Sequence, residues 1–201
     1  MEGVEDIPGA ALSEGITWGW NHFEEYLDLL ATRKTSIDFA TQVPHGALRG
    51  YVMGERGANN EAATADDLQE MSTLVTRAIQ AGAFGISTSR TMLHRAIDGR
   101  LVPGTYAAND ELMALARAVK LGGGHLFQVA CEHAEVPADL DWMGRLSKEL
   151  DMKVMFNLSQ IDQASELWRV GFEKMCELNR EGAQLKAQVA GRSIGIMMSF
   201  A

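Results

Sequence analysis

Polar side chains that could do chemistry recur where apolar runs of the sequence end. His45 follows Val43 and Pro44, and Arg49 stands four positions later. The Val-Pro pair keeps the chain extended as it leaves a strand, so His45 could position a substrate or a bound water molecule. The alternative is structural: His45 binds a loop carbonyl and fixes the turn, while Arg49 pairs with an acidic neighbour such as Glu55. His45 is our candidate catalytic residue and Arg49 a candidate substrate-binding residue.

Four other residue types in similar positions could bind a substrate. Ser87 and Ser89 end the run "FGISTS", and their hydroxyls could bind a carboxylate or simply cap the following turn. Arg90 could hold an anionic group by a bidentate contact, or remain solvated in its loop. Tyr106 could line the mouth of a site or pack before the next helix. Asn157 lies near the end of "KVMFNLS" and completes the set of candidate substrate-binding residues.

Composition limits the classes of function. The chain has 201 residues, of which 46% are hydrophobic and 22% charged, enough for an ordinary folded domain. Its 27 acidic residues outnumber 18 basic ones, and the net charge of −9 argues against a nucleic-acid partner. Cys131 and Cys176 do not make a disulfide framework, which favours a reducing compartment. Without an apolar run of membrane-spanning length or a leader pattern, we expect a cytoplasmic protein with no membrane partner. The oligomeric state is not encoded in these features.

Short apolar runs alternate with amphipathic segments along the chain. The runs predicted as strands are 36–43, 84–89, 125–130, 153–159, 185–189 and 194–200. Apolar residues at helical spacing predict helices over 66–81 and 110–121, and two more that carry Leu140 to Leu150 and Ala164 to Cys176. Thr64 with Asp67 three residues later resembles a capping box at the first of these helices.

Strands followed regularly by helices require a parallel sheet covered by helices. An open doubly wound sheet and a (β/α)8 barrel both satisfy this pattern. No strand is followed by the glycine-rich phosphate loop GxGxxG, whereas polar groups at successive strand ends are typical of a barrel. The predicted strands are too few to close a barrel. We therefore expect an α/β fold that is part of a (β/α)8 TIM-like barrel, in one incomplete domain over 1–201, with a lead-in segment 1–35 and βα repeats over 36–201. A complete open five-stranded domain is the alternative.

Several longer segments resemble the amidohydrolase superfamily, in the branch of D-aminoacylases and N-acyl-D-amino-acid deacylases. They occur in the same order along the chain and cover nearly all of it: "MEGVEDIPG", "EGITWGWNHFEEYLDLL", "VPHGALRGYVMGERG", "AGAFGISTSR", "YAANDELMALARAV" and "QVAGRSIGIMMSF". The resemblance implies that the chain supplies about the third to the seventh barrel strand of a longer enzyme.

The resemblance also implies a reaction. Such enzymes hydrolyse non-peptide C–N bonds of an N-acylated amino acid or cyclic amide, and a bound divalent metal, usually zinc, activates the attacking water. The implied metal ligands are an HxH on the first strand, a cysteine on an early strand, histidines on the fifth and sixth strands, and an aspartate on the eighth. The chain contains no HxH. We expect the isolated chain to be inactive.

The fifth- and sixth-strand ligands depart from the implied pattern. Their positions fall near Ala130 and near Asn157 or Leu158. Either Cys131 and His133 form a shifted ligand set, or the metal site has been altered in this branch. A ligand must approach zinc to about 2.3 Å, and a slip of three strand residues moves it roughly 10 Å, which favours the altered site. A barrel that has lost its metal and acts as a non-catalytic binding module is therefore the alternative function.

Overall fold

A computed structural model describes residues 7–96 and 98–192 of the chain. Two short helices, α1 (Gly9–Gly15) and α2 (Phe23–Ala31), precede the sheet. The strands are β1 (Val43–Pro44), β2 (Ile86–Ser89), β3 (Leu126–Ala130), β4 (Lys153–Asn157) and β5 (Gln184–Gln188). The helices between them are α3 (His45–Met53), α4 (Glu55–Ala58), α5 (Ala65–Gln80), α6 (Asn109–Leu121), α7 (Val136–Leu150) and α8 (Leu167–Arg180), with a 3-10 turn at His133–Glu135.

The five strands form one parallel sheet in the order β1-β2-β3-β4-β5. Each strand pairs with the next strand along the chain, and each of these connections contains at least one helix. A doubly wound sheet reverses its strand order at a switch point, whereas a (β/α)8 barrel adds its strands sequentially. The prediction of a partial barrel is therefore confirmed, and the doubly wound alternative is wrong.

The two faces of the sheet differ in burial. Ile86, Phe127, Val154 and Leu185 lie side by side in register, and each is 0% exposed beneath the helices. The opposite face, here called the open face, carries the alternate residues of each strand, which are more exposed: Ser87, Ser89, Gln128, Ala130, Met155, Asn157, Lys186 and Gln188. In a barrel, this face lines the interior.

Three glutamines join alternate strands across the open face. Gln42, directly before β1, donates from Nε2 to Oε1 of Gln128 on β3 at 2.7 Å. Gln128 donates in turn to Oε1 of Gln188 on β5 at 3.3 Å. Side chains from alternate strands form the interior layers of a (β/α)8 barrel. The glutamine row therefore has the arrangement expected of one such layer.

Helix α5 begins within one residue of its predicted start. Thr64 caps α5 by accepting from the backbone N–H of Asp67, whose side chain accepts from the backbone N–H of Thr64. The capping box is thus confirmed. Arg56 also donates to both carboxylate oxygens of Asp67, at 2.7 and 3.0 Å. These bonds, first from Arg56 and then from Thr64, hold the pKa of Asp67 far below its usual range. Helices α5 and α6 pack against each other, and both contribute buried apolar residues to the core: Met71, Val75, Ala78, Leu112, Leu115 and Val119.

One predicted strand is much shorter than expected. Of the run 36–43, only Val43 is in a strand, and Ile37 and Phe39 are 75% and 48% exposed. The run looked like a strand because of its β-branched and aromatic residues, but it lacks the sheet neighbours that would bury them. The other predicted elements agree with the structure to within a few residues at most ends, and the predicted strand 194–200 lies outside the described residues. The helices α1, α2, α3 and α4 were not predicted, and His45, expected in a turn, begins α3.

Within 7–96 and 98–192, no helix has both the length and the apolar character needed to cross a membrane.

Candidate functional site

Four buried polar side chains meet between β2 and the helices α3 and α6. His45 lies 2.9 Å through Nδ1 from Oγ1 of Thr88, and 2.8 Å through Nε2 from Oε1 of Glu111. Arg49 donates from Nη1 to both carboxylate oxygens of Glu111, at 2.5 and 2.6 Å. His45, Arg49, Thr88 and Glu111, here called the buried charge cluster, are each no more than 5% exposed. Thr88 shares the helix-covered side of β2 with Ile86, so the cluster lies behind the sheet and away from the open face.

The protonation states in the cluster follow from burial and from the bonds. Burial lowers the pKa of His45, and the hydrogen bond to Glu111 only partly opposes this effect. A neutral ring donates from Nε2 to Glu111 and accepts at Nδ1 from the Thr88 hydroxyl, which satisfies both nitrogens. For Glu111, burial alone would raise the pKa, but the bonds from His45 and Arg49 lower it overall. Glu111 therefore carries the negative charge that balances Arg49.

The cluster supports the loop that joins β2 to α6. Gly104 in this loop has φ +96°, and a Cβ atom there would lie 2.9 Å from Nδ1 of His45. Asn60 accepts from the backbone N–H of Gly104 at 2.8 Å and donates to the carbonyl of Leu101 at 3.2 Å. Arg49 also donates from Nη2 to the carbonyl of Glu61. Because His45 is enclosed under this loop, the geometry favours positioning roles for His45 and Arg49 over substrate contact.

The structural alternative for Arg49 was correct in kind but wrong in partner. Arg49 pairs with Glu111, 62 residues away, and the exposed Glu55 lies instead 3.4 Å from Arg100. Likewise, the His45 ring binds a hydroxyl and a carboxylate where a loop carbonyl was expected. The missed residue is Glu111, which the sequence presents only as one of two acidic residues at the start of α6.

A second polar group lies at the carboxyl end of β2, on the open face. Ser89, the last residue of the strand, is half-buried, and its Oγ lies 2.7 Å from Nδ1 of His94. His94 stands in a loop without a periodic pattern, so the sequence gives no signal for this contact. Arg90 donates its backbone N–H to Ala130 and its Nη1 to the carbonyl of Ala107 at 2.5 Å. The Arg90 side chain therefore has at least one structural partner inside its own loop.

Glu132, just beyond β3, fixes the beginning of that loop. Its Oε2 accepts from the Thr91 hydroxyl at 3.1 Å and from the backbone N–H of Met92 at 2.8 Å. Its Oε1 accepts from the backbone N–H of His133 at 3.1 Å. One carboxylate thus holds together the ends of two neighbouring strands.

The end of β4 is tied to the end of β3 by Asn157. Its Oδ1 accepts from the backbone N–H of Cys131 at 2.6 Å, and its Nδ2 lies 3.3 Å from Nδ1 of His133. Cys131 itself is 1% exposed, and burial raises the pKa of its thiol well above the usual value. The thiol is therefore protonated and enclosed.

These residues form one polar edge, here called the rim site and defined as Ser89, His94, Ala130, His133 and Asn157. Ser89 pairs in register with Ala130, and Asn157 lies on the strand after that. Because neighbouring strands are about 4.8 Å apart, the Ser89–His94 and Asn157–His133 pairs stand roughly 10 Å apart across the small side chain of Ala130. The rim site thus has two polar pairs separated by one small apolar side chain.

Two candidate residues lie near the rim site without forming part of it. Ser87 is on the open face one step deeper, beside Gln128 in register. Tyr106 is 63% exposed, and its hydroxyl lies 3.6 Å from the sulfur of Met92.

The rim site does not fit a metal ion. Across 7–96 and 98–192, no three His, Cys, Asp or Glu side chains are grouped so that they could hold one. Ala130 offers no donor atom, the amide oxygen of Asn157 is engaged by Cys131, and the Cys131 thiol is buried and protonated. The geometry therefore favours the second of the two alternatives, an altered site, over a shifted ligand set of Cys131 and His133.

Comparison with known proteins places the chain beside enzymes of one type. It is 28% identical over 147 residues to a D-aminoacylase of Alcaligenes xylosoxydans xylosoxydans, covering 73% of this chain and 28% of that protein. It is also 28% identical over 139 residues to an N-acyl-D-aspartate deacylase of the same organism, covering 67% of this chain and 25% of that protein. No protein-family model matches the chain.

Solved structures agree on the fold. N-acyl-D-glutamate deacylase from Bordetella bronchiseptica, solved with zinc and a phosphonate inhibitor, superposes with a TM-score of 0.71 at 22% identity, over 91% of this chain and 38% of its own. A D-aminoacylase crystal structure gives a TM-score of 0.64 at 23% identity, over 84% of this chain and 33% of its own. The chain thus spans between a quarter and two fifths of the length of these relatives. The resemblance to the D-aminoacylase branch is confirmed, and so is the partial barrel.

Proposed function

We propose that this chain is part of an enzyme similar to the D-aminoacylases, one that hydrolyses the amide bond of N-acyl-D-amino acids. The observation that carries this proposal is the 28% identity to a D-aminoacylase across 73% of the chain. The second relative acts, by its name, on N-acyl-D-aspartate, which supports the same class of small-molecule substrate. Cyclic amides remain a related class, because they contain the same kind of C–N bond.

The rim site is the proposed place of substrate contact. Barrel enzymes bind substrates at the carboxyl ends of their strands, and the rim site lies at that end of β2, β3 and β4. A gap of roughly 10 Å between its two polar pairs accommodates an acyl group joined to an amino acid. We propose that Ser89 and Asn157 bind the substrate's amide or carboxylate, and that Ser87, Arg90 and Tyr106 act around this gap. His45 and Arg49 would hold the adjoining loop in place.

No metal site is proposed among the described residues. The N-acyl-D-glutamate deacylase was solved with zinc, and a D-aminoacylase structure is described as having a binuclear metal centre. A divalent ion, zinc above all, remains the cofactor that the similarity implies for the whole protein. Because no three potential ligands are grouped within 7–96 and 98–192, a complete ligand set would need residues from outside these ranges.

The cytoplasmic location is also part of the proposal. Cys131 and Cys176 are both free thiols, which is usual in a reducing compartment.

One observation favours a second function. Near the positions where the resemblance places two histidine ligands, the chain has Ala130 and Asn157 or Leu158. A barrel without these ligands could bind an N-acyl amino acid without cleaving it and act as a binding module.

A hydrolysis assay separates the two functions. The natural polypeptide that contains this chain is incubated with matched N-acetyl-D- and N-acetyl-L-amino acids, and the release of free amine is measured. The enzyme proposal predicts release from D-substrates; calorimetric binding with no release from any substrate would support the binding module and refute the enzyme. The 201-residue chain alone is predicted to release no amine, because it spans about a quarter of the D-aminoacylase.

A further inference from the structure

We propose that His133 binds the acyl carbonyl oxygen of the substrate through its Nε2–H, and that Asn157 is the positioning residue that fixes this form of the ring. The substrate class rests on the proposed function, whereas the form of the ring is tested without any substrate. The observations behind the proposal are three hydrogen bonds, which leave the Asn157 amide one orientation and the His133 ring one neutral form.

The backbone of Cys131 fixes the orientation of the Asn157 amide. The backbone N–H of Cys131 can only donate, and it lies 2.6 Å from Oδ1, so this side-chain atom must be the oxygen. The NH2 group therefore lies on the other side, where Nδ2 donates to the carbonyl oxygen of Cys131 at 3.3 Å. An amide turned by 180° would set donor against donor and acceptor against acceptor at Cys131.

The second hydrogen of the Asn157 amide fixes the His133 ring. Nδ2 lies 3.3 Å from Nδ1 of His133, and an amide nitrogen can donate to that atom but cannot accept from it. Nδ1 must therefore be the nitrogen without a hydrogen, so the neutral ring carries its hydrogen on Nε2. The backbone that carries the ring is also held, because Oε1 of Glu132 accepts from the backbone N–H of His133 at 3.1 Å.

Nε2 of His133 is the atom that can reach a ligand. The residue is half-buried, and no hydrogen bond joins Nε2 to any described residue. Nε2 is also not among the enclosed polar atoms of the described residues that lack a partner. Because both amide hydrogens of Asn157 are in use, Nε2–H is the donor that this side of the rim site offers. Oδ1 of Asn157 has a second lone pair and can still accept from a substrate N–H.

The charge beside His133 favours a neutral carbonyl over a carboxylate. Glu132 bonds to the backbone N–H of His133 through one oxygen, and its other oxygen is held by Thr91 and Met92. A substrate carboxylate at His133 would stand close to this negative charge, whereas an amide carbonyl carries no net charge. The acyl carbonyl is therefore the substrate oxygen that we assign to Nε2–H.

The assignment gives the altered strand ends a role that needs no metal ligand. Near the positions where the resemblance places histidine ligands, the chain has Ala130 and Asn157 or Leu158. Asn157 ties the end of β4 to the end of β3 and presents the donor of His133 at the same edge. This part of the barrel would thus hold the substrate, and the activation of water is left to the rest of the protein.

NMR of the natural polypeptide, labelled with 15N-histidine, tests the form of the ring. Two-bond correlations between ring hydrogens and nitrogens show which nitrogen carries the hydrogen, and the His133→Gln variant assigns the signals. We expect it on Nε2 in the wild type and on Nδ1 in Asn157→Asp, because a carboxylate accepts where the amide donates. Asn59→Asp makes the same substitution at an exposed position and should leave His133 unchanged. A wild-type ring with its hydrogen on Nδ1, or an unchanged ring in Asn157→Asp, would overturn the proposal.

Titrations of the same labelled protein with N-acetyl-D-alanine and with its carboxamide test the contact with the carbonyl. His133→Phe keeps a ring without a donor and should bind both compounds about 5- to 10-fold more weakly, the usual size of one hydrogen bond. His133→Gln supplies a donor again and should recover most of the affinity. His125→Phe, at an exposed position just before β3, should bind as the wild type does.

Two results of these titrations would overturn the proposal. One is equal affinity of the wild type and His133→Phe, and the other is a loss confined to N-acetyl-D-alanine, which would place the carboxylate at His133. Should Asn157→Asp not fold, as judged by circular dichroism, the wild-type ring and the His133 variants decide.

The outcome is separable from the proposed function. Weaker binding by His133→Phe without release of amine by the wild type would keep the contact and reject the hydrolase. Release of amine with unchanged affinity in His133→Phe would keep the hydrolase and reject the contact. A wild type that binds neither compound would reject both.

Discussion

Arg49 and Glu111 are joined by two hydrogen bonds, at 2.5 and 2.6 Å, although the two residues are 62 positions apart in the chain and only 1% and 4% exposed. Their contact fastens the helix after β1 to the helix after β2, and with His45 it supports the loop that reaches the rim site. We therefore expect the stability of this edge of the sheet to depend on a charge pair that has little access to water.

Removing the negative charge should be costly. In Glu111→Gln, Arg49 stays buried without a charged partner, and breaking a buried pair typically costs about 3 to 5 kcal/mol. We expect a loss of about 3 kcal/mol in the free energy of unfolding, measured by urea titration. Glu70→Gln, at an exposed position of α5, should change it by less than about 0.5 kcal/mol. Similar losses in the two variants would show that the pair does not support the fold.

The same cluster predicts a pH dependence of stability. Burial lowers the pKa of His45 below its ordinary 6.5, so the unfolded chain binds a proton near that pH while the folded chain does not. Stability is therefore full above pH 6.5 and falls as the pH drops below it, by up to about 1.4 kcal/mol per unit. Urea titrations from pH 8 to 5.5 should show this slope in the wild type and in His125→Gln, and a reduced slope in His45→Gln. An equal slope in His45→Gln would assign the dependence to other groups.

Gly104 offers a test of the contact between the loop and His45. In Gly104→Ala, the new Cβ lies 2.9 Å from Nδ1 of His45 and the residue keeps φ +96°, so both strain and overlap oppose the native loop. Gly99→Ala is a matched control in the same loop, because its φ is +85° but nothing lies within 4 Å of its Cβ. Overpacking costs about 1 to 3 kcal/mol, and we expect Gly104→Ala to be less stable than Gly99→Ala by that amount. Equal stabilities would mean that the loop moves away freely.

Glu132 should control the order of the segment that carries His94. Glu132→Ala removes the acceptor of the Met92 N–H and the Thr91 hydroxyl, and hydrogen bonds to charged groups contribute about 1.5 to 3 kcal/mol. Hydrogen exchange at the Met92 amide should accelerate about 10-fold or more, while Glu135→Ala, at an exposed position three residues further along the chain, should leave it unchanged. Unaltered exchange in Glu132→Ala would remove Glu132 from the support of this loop.

The sequence alone predicts the fold better than it predicts the partners in the site. The alternation of strands and helices identified the parallel sheet. The packing of helices on the sheet depends on the apolar residues within each segment, and the sequence shows these residues directly. The run containing Ile37 and Phe39 was wrongly predicted as a longer strand by the same criterion. An apolar run has the same pattern in the sequence whether or not it has neighbouring strands in the sheet. The sequence also did not indicate the partner of Arg49, because Glu111 is 62 positions away and belongs to another helix.

Strand ends were informative about where polar groups gather but not about which face they use. His45 and Ser89 both follow apolar runs, yet one is enclosed behind the sheet and the other lies on the open face. A shift of one residue along a strand moves a side chain to the opposite face of the sheet. Because β1 already ends at Pro44, the sequence pattern does not show on which face His45 lies. His94 reaches Ser89 through a loop whose course depends on Glu132, another strand-end residue whose role appears only in three dimensions.

The most direct test of the account is to observe which histidines meet the ligand. The chain has five histidines, and their ring signals in the natural polypeptide can be assigned by NMR with single His→Gln variants. On titration with a phosphonate analogue of an N-acyl-D-amino acid, we predict that the signals of His94 and His133 shift, while those of the enclosed His45 and the distant His125 do not. A shift at His45 with unchanged signals from His94 and His133, or no shift at any of them at saturating analogue, would contradict the assignment of the rim site.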